Sequence, residues 1–278
     1  MSTKLAIVTG SNKGIGYAIV KALCEKFDGD VYLTARDVSR GEKAVQTLNA
    51  LGLKPKFHQL DVTKDDSVAE FKRFVEKNYA GINVLVNNAA IAFKVNSEEP
   101  FALQATKTCK VNYFGVRRVC HALFPLLLPG ARVVNVSSSA GLLSSIPGDR
   151  IRAKFSSSNL KIRELDGLVN LFVESASHGI HRSLGWPSSA YALSKVAVNV
   201  LTIIQQKKFD VDPYRKDIIV NSVHPGYVAT DMSSHKGPLT IEEGAEAPVY
   251  LALLPEGEQN VKGQYVWNDK TVKDFYKL

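Results

Sequence analysis

The 278-residue chain is 45% hydrophobic and 22% charged, which is enough apolar material for one α/β domain or two small ones. Its formal charge of +8 comes from 35 basic and 27 acidic residues scattered without a long basic run, a pattern that suits an anionic cofactor and argues against nucleic acid. Cys24, Cys109 and Cys120 are far apart with no CxxC pair and the histidines do not cluster, so neither a disulfide nor a metal site is expected, and no apolar run approaches the ~20 residues of a bilayer span.

Met1-Ser-Thr-Lys4 leads straight into the apolar run Lys4-Leu-Ala-Ile-Val-Thr9, so no signal peptide is expected and the default location is the cytoplasm. That run reads as a buried parallel strand. Thr9-Gly10-Ser11-Asn12-Lys13-Gly14-Ile15-Gly16 follows, and then a helical pattern from Tyr17 to Cys24. Strand, glycine-rich turn and helix form a phosphate cradle: glycine permits tight turning and close backbone approach, and the helix N-terminus faces the anion. The spacing is TGxxxGxG rather than GxGxxG.

Asp30-Val-Tyr-Leu-Thr34 is the second strand. At its end an NAD-binding unit offers an acid to the ribose hydroxyls; this chain has Ala35-Arg36, with Lys13 in the preceding turn and Arg40 close behind. Three cations there suit a 2′-phosphate and predict NADP. A helix near 39–51 and a strand at 56–60 lead to Asp61-Val62, where an adenine could lie. A charged helix at about 65–79 and a strand at 83–87 follow. The strand ends in Asn87-Asn88-Ala89-Ala90, which can tie neighbouring strands and touch a ligand or simply turn. Residues 101–128 read as mostly helical, with Asn112 a polar residue on an apolar face that needs a partner or a task.

The strand at 131–136 ends in Ser137-Ser138-Ser139, and in open α/β sheets ligands bind at the carboxyl ends of strands. A strand at 218–224 runs into Pro225-Gly226-Tyr227-Val228-Ala229-Thr230-Asp231-Met232, and a helix at about 241–254 and a short strand at 264–266 close the pattern. Strands alternating with helices predict a parallel, doubly wound sheet. Tyr191-Ala-Leu-Ser-Lys195 opens a helix between the last two long strands. Residues four apart share a helix face, so a phenol and an ammonium stand side by side. A neighbouring positive charge lowers a phenol's pKa, and a Tyr so tuned exchanges a proton with a substrate oxygen near neutral pH. An ordinary surface pair has the same spacing, and the other motifs decide between the two.

Thr9-Gly-x3-Gly-x-Gly16, Asn87-Asn-Ala-Ala90, Ser138 and Tyr191-x3-Lys195, in this order along nearly the whole chain, resemble the short-chain dehydrogenase/reductase family. Asn12-Lys-Gly-Ile-Gly16, Thr34-Ala-Arg-Asp37, Phe57-His-Gln-Leu-Asp61, Gly185-Trp-Pro-Ser-Ser-Ala-Tyr191 and Pro248-Val-Tyr-Leu-Ala-Leu-Leu-Pro255 are similar to its NADPH-dependent carbonyl reductase subgroup.

The resemblance implies one doubly wound Rossmann-like domain over residues 1–278, with a seven-stranded parallel sheet. It also implies roles. Tyr191 would donate the proton, Lys195 would bind the nicotinamide ribose and tune Tyr191, and Ser138 would hold the substrate carbonyl. Asn112 would hold a water in a proton relay. Gly10, Asn12, Lys13, Gly14, Ile15, Gly16, Arg36, Arg40, Asp61, Val62, Asn88, Ala89, Pro225, Gly226, Val228 and Thr230 would line the NADPH site.

Ala90 stands where the family has glycine, a cost if positive φ is needed there. The long gap between Ser138 and Tyr191 holds a helical insertion at about 144–185, with a helix at 162–175, and the subgroup carries a similar one. The subgroup with this insertion is monomeric, which predicts a monomer. Ile91, Phe93, Leu142, Trp186, Tyr227 and Met232 are candidates for a pocket that takes hydrophobic ketones, aldehydes or quinones; as plain core they would look the same. Two alternatives from other classes or directions are an NADPH-binding regulator with little turnover and an NADP-dependent alcohol or prostaglandin dehydrogenase. The ending Tyr276-Lys277-Leu278 resembles a peroxisomal signal with Tyr in place of Ser, and is read as coincidence.

Overall fold

Apolar runs become strands buried on both faces at the centre of the sheet, while the strands at its two edges are more polar and more exposed. The strands are β1 (Leu5–Val8), β2 (Asp30–Ala35), β3 (Lys56–Gln59), β4 (Ile82–Asn87), β5 (Leu127–Val136), β6 (Ile219–Val223), β7 (Tyr265–Val266) and β8 (Val272–Lys273). The helices are α1 (Gly14–Lys26), α2 (Val38–Ala50), α3 (Asp65–Asn78), α4 (Phe101–Asn112), α5 (Phe114–Leu123), α6 (Asp149–Phe155), α7 (Ile162–Ser177), α8 (Ala190–Asp210) and α9 (Ile241–Ala252). The computed structural model describes residues 3–94 and 96–276; Met1-Ser2 and the Lys277-Leu278 part of the terminal tripeptide lie outside them.

The strands form one sheet in the order β3-β2-β1-β4-β5-β6-β7-β8. All neighbours are parallel except β7 and β8. The order reverses between β1 and β4, where Ala6, Ile7 and Val8 pair with Val84, Leu85 and Val86. Such a reversal opens a crevice outside the carboxyl ends of the strands. Alternate residues of each strand feed opposite layers. Ala6, Val8, Val84 and Val86 pack under α1 and α9, whereas Leu5, Ile7 and Leu85 pack under α3 and α5.

One expectation needs correction. Among the described residues the sheet has eight strands, not seven: after β7 the chain doubles back, with Lys270 N donating to Trp267 O (2.8 Å) and Trp267 N to Thr271 O (2.9 Å). Two residues are too few for β8 to show an alternating pattern. The stretch 101–128 is mostly helical, as expected: α4 and α5 meet at Tyr113, a 3₁₀ turn carries Pro125, and β5 begins at Leu127. Proline lacks the N–H that a helix interior needs.

The insertion supplies α6 and α7. Phe155, Leu165, Val169, Phe172 and Trp186 pack with Ala105 and Cys109 of α4 and with Leu193, Val196 and Val200 of α8, which makes a third apolar layer. A polar seam fixes the helix that carries Tyr191. Asn87 Nδ2 donates to Asn135 Oδ1 (2.8 Å), and Asn135 Nδ2 donates to Thr202 Oγ1 (2.9 Å) and Gln205 Oε1 (3.1 Å). Buried amides paired in this way admit one register of β4, β5 and α8. Among the described residues no helix is long and apolar enough to cross a membrane.

Candidate active site

Ser189 caps α8 by accepting from Ala192 N (3.1 Å), which starts the helix so that Tyr191 and Lys195 lie one turn apart. At the end of β5, Ser138 caps a 3₁₀ turn over Ser139–Gly141 by accepting from Ala140 N (3.2 Å). The Ser138 hydroxyl lies beside the half-buried Tyr191 phenol, close enough to act on its titration. Lys195 is 3% exposed; its Nζ donates to Val136 O (2.7 Å) and lies 5.6 Å from the Tyr191 ring centroid.

The electrostatics differ from the expectation that Lys195 lowers the Tyr191 pKa. Burial dominates and raises the phenol, opposed by the neighbouring Ser138 hydroxyl. Burial pushes the Lys195 ammonium down to about 8, because removing water penalises the charged form. The phenol therefore keeps its proton through the neutral range, and the lysine is the group that titrates near it.

Asn112 ends α4, and both faces of its amide are committed. Oδ1 accepts from Ile91 N (2.8 Å), and Nδ2 donates to Ile91 O (2.9 Å) and to Ser194 Oγ (3.0 Å). Ser194 in turn donates to Tyr191 O (2.7 Å). The side chain thus clamps the segment after β4 to the first turn of α8.

The glycine-rich turn is held by the strands beside it. Asn88 Nδ2 donates to Thr9 O and Gly10 O (both 3.0 Å), and Asn88 N donates to Thr9 Oγ1 (3.0 Å). Gly10 has φ +61°, and a Cβ there would lie 2.7 Å from Ala89 Cα; one on Gly16 would strike the Asn88 amide. Asn88 and Ala89 therefore support the turn from behind. Ala90 is not at positive φ, so the departure from glycine there carries no backbone strain. Ile15 packs on the core beside α9, and Gly14 faces Thr230, whose Cγ2 would be 3.5 Å from a Cβ at that position.

Arg36 and Arg40 are exposed at the end of β2 and the start of α2. A cavity of about 260 Å³ is lined by Asn12, Tyr17, Arg40, Lys43 and Thr47. Lys43 was missed by sequence reasoning because nothing local ties a mid-helix lysine to the glycine turn. Lys13 does not stand free beside these arginines: its Nζ pairs with Asp231 Oδ2 at 2.5 Å. Lys94 Nζ donates to Asp231 O (2.6 Å) and Ser234 Oγ (2.7 Å), so two lysines fasten the loop after β6 across the crevice. Burial acts to raise the Asp61 pKa, but hydrogen bonds from Thr63 outweigh it and leave the carboxyl low. Val62 is buried among the side chains under α3.

The pocket candidates divide. Ile91 and Phe93 are half-buried after β4, and Leu142 packs beside the serine turn. Tyr227 (54% exposed) and Met232 (39%) stand on the loop after β6, while Val228 and Pro225 are buried beneath it and Gly226 bends it at φ +89°. Trp186 is a correction: at 2% exposure it lies between Phe155 and Phe172 in the core of the insertion, where its ring buries far more apolar surface than a cleft wall offers. Tyr265 was missed; its hydroxyl donates to Ser138 O (2.9 Å) from β7, a contact set by strand register rather than by any local motif.

Known proteins are similar to this chain over most of its length. A family model described as short chain dehydrogenase matches residues 4–149. Carbonyl reductase (NADPH) 1 of Homo sapiens is 49% identical over 273 residues, which is 98% of this chain and 98% of that protein. The Rattus norvegicus protein of the same name gives the same identity and coverage. The structure of salutaridine reductase from Papaver somniferum matches with a TM-score of 0.86 at 32% identity, covering 94% of this chain and 99% of that one. With the glycine turn, the serine turn and the Tyr–Lys helix folded around one crevice and the likeness running the length of the chain, the protein belongs to the short chain dehydrogenase family.

Proposed function

We propose that this protein is an NADPH-dependent carbonyl reductase that converts hydrophobic ketones, aldehydes and quinones to alcohols, with Tyr191 as proton donor. The observation that carries the reading is the juxtaposition of the Ser138 hydroxyl and the Tyr191 phenol at the carboxyl end of β5, backed by Lys195. Relatives of near-half identity named carbonyl reductase (NADPH) 1 support the same chemistry.

The residues present fit the cofactor. The glycine turn leaves backbone N–H groups at the start of α1 open to a diphosphate. Arg36, Arg40 and Lys43 offer positive charge to a 2′-phosphate; the adjacent Asp37 caps α2 by accepting from Arg40 N (2.9 Å) and lies 3.8 Å from the Arg40 guanidinium. NADPH bound there supplies the hydride. Ser138 and Tyr191 direct two hydroxyls at the carbonyl oxygen, where negative charge develops, and Tyr191 gives up its proton to it. Lys195 holds positive charge behind the phenol and is positioned by Val136 O. Ile91, Phe93, Leu142, Tyr227 and Met232 form the apolar surround for the substrate.

NADPH oxidation followed with menadione and with simple aldehydes tests the reading, and no consumption with any of them would overturn it. Arg36→Ala and Arg40→Ala should each raise the KM for NADPH on the order of tenfold, as losing a charge-assisted bond does, and leave the weaker use of NADH nearly unchanged. Equal effects on both cofactors would remove the phosphate role.

The chain acts as one catalytic domain and as a monomer in the cytoplasm. Support for the monomer is the apolar layer that α7 makes over α4, which satisfies that surface within one chain. Light scattering that finds a stable dimer at micromolar concentration would refute it.

A further inference from the structure

The serine turn leaves the sheet after Ser137, whose N–H bonds to Val223 O (2.7 Å) at the end of the β5–β6 ladder. Around that point side chains hold its carbonyls. Lys195 Nζ donates to Val136 O (2.7 Å), the Tyr265 hydroxyl to Ser138 O (2.9 Å) and Asn199 Nδ2 to Gly141 O (3.0 Å). The lysine already belongs to the proposed reaction, whereas Tyr265 and Asn199 have had no part in it.

Ser138 O also accepts from Gly141 N (2.9 Å). A carbonyl oxygen has two lone pairs, and here both are taken. The peptide plane after Ser138 is thereby fixed, and with it the direction in which the Ser138 side chain leaves the backbone. The Ser138 hydroxyl accepts from Ala140 N (3.2 Å), so its own hydrogen is free for Tyr191 or a substrate.

Tyr265 reaches the turn from β7, where it pairs with Ser222 and is 4% exposed. Its ring stands edge-on to Phe275, with centroids 6.4 Å apart. Burial raises the phenol pKa and the nearby Tyr191 adds to the shift, so the hydroxyl stays a donor throughout the neutral range. Phenylalanine would fill the same space with nothing to donate. Asn199 lies on the same face of α8 as Tyr191 and Lys195, at successive steps of four. It is 1% exposed, and its Oδ1 is buried without a partner. Such an acceptor lowers stability, and asparagine is a poor helix former. Asn199 therefore steadies the turn at a cost to its own helix. The turn presses hard on that helix: a Cβ on Gly141 would lie 2.8 Å from Lys195 C.

We propose that Tyr265 and Asn199 are positioning residues for carbonyl reduction, which fix the Ser138 hydroxyl by holding the carbonyls at the two ends of its turn and act on the reaction only through it. The inference rests on the catalytic role proposed for Ser138. A hydroxyl that meets a developing oxyanion is effective only where that charge forms. Loosening either end of the turn therefore weakens transition-state stabilisation and leaves cofactor binding alone.

Double-mutant cycles on the full chain test this, with menadione reduction as the assay and NADPH fluorescence as the measure of folding and cofactor affinity. Ser138→Ala should lower kcat by ~10²–10³-fold, as loss of one oxyanion donor does. Tyr265→Phe and Asn199→Leu should each lower kcat on the order of tenfold, short of the ~10²-fold that an ångström of misplacement can cause. NADPH affinity should hold in all three. Placed in the Ser138→Ala chain, neither substitution should lower kcat further, because the hydroxyl they aim is gone. Residues that merely support the fold would add their losses to that of Ser138→Ala.

A tenfold loss repeated in the Ser138→Ala chain would overturn the proposal, and normal kcat in either single variant would remove that residue from it. The two cycles are independent, so Asn199→Leu decides where Tyr265→Phe fails to fold. A deep loss in Ser138→Ala beside normal turnover in the other two overturns the positioning alone. Normal turnover by Ser138→Ala, or none by the unmodified chain, overturns the catalytic reading of Ser138 and the positioning with it.

Discussion

Tyr191→Phe should lower kcat for carbonyl reduction by ~10²–10⁴-fold, the usual worth of a positioned general acid, while the KM for NADPH stays nearly unchanged. Phenylalanine keeps the ring in its place at the first turn of α8 and removes only the transferable proton. Since burial raises the phenol pKa, the donor stays loaded throughout the neutral range. The alkaline limit on reduction therefore falls to Lys195, whose charge is lost as pH rises through about 8. The rate should decline across that interval in the unmodified enzyme. Near-normal turnover by a folded Tyr191→Phe protein would remove the proton-donor role, and a decline centred on the ordinary tyrosine range would reassign the titration to the phenol.

What was legible in the sequence follows from how far each signal reaches. The strands were legible because parallel strands are buried on both faces and read as unbroken apolar runs, as Leu5–Val8 does. The glycine turn, Ser138 and the Tyr191–Lys195 pair were legible because each is a local pattern whose backbone geometry its own residues dictate. Contacts set by tertiary register were not. Lys13 looked like a phosphate ligand because its partner, Asp231, lies in a loop that only the finished fold brings across the crevice. Trp186 stands five residues before Tyr191, yet α6 and α7 draw its ring into their own core. The sign of the Tyr191 shift was misjudged for a related reason: adjacency on a helix reveals the neighbouring charge but not the burial, which here is the larger effect.

Lys195→Met should disable the enzyme and stabilise the protein. A lysine held down to about 8 from 10.5 is protonated at neutral pH in both the folded and unfolded chain, so the folded state bears the full desolvation cost. At ~1.4 kcal/mol per unit that is about 3 kcal/mol, from which about 1 kcal/mol is subtracted for the lost bond to Val136 O. The remaining ~2 kcal/mol corresponds to a rise in Tm of about 4–8 °C for a chain of this size. The sign of the pH dependence is fixed by the same shift. Below about 8 the gain is complete. Between about 8 and 10.5 the folded wild-type lysine sheds its proton and escapes the cost, so wild-type stability rises with pH and the advantage of methionine fades. Calorimetric melts of both proteins at pH 7 and pH 10 test this, alongside a loss of turnover comparable to that of Tyr191→Phe. A methionine variant no more stable than wild type at pH 7, or one whose advantage is the same at both pH values, would show that Lys195 is not a buried charge kept at a cost to stability for the sake of the reaction.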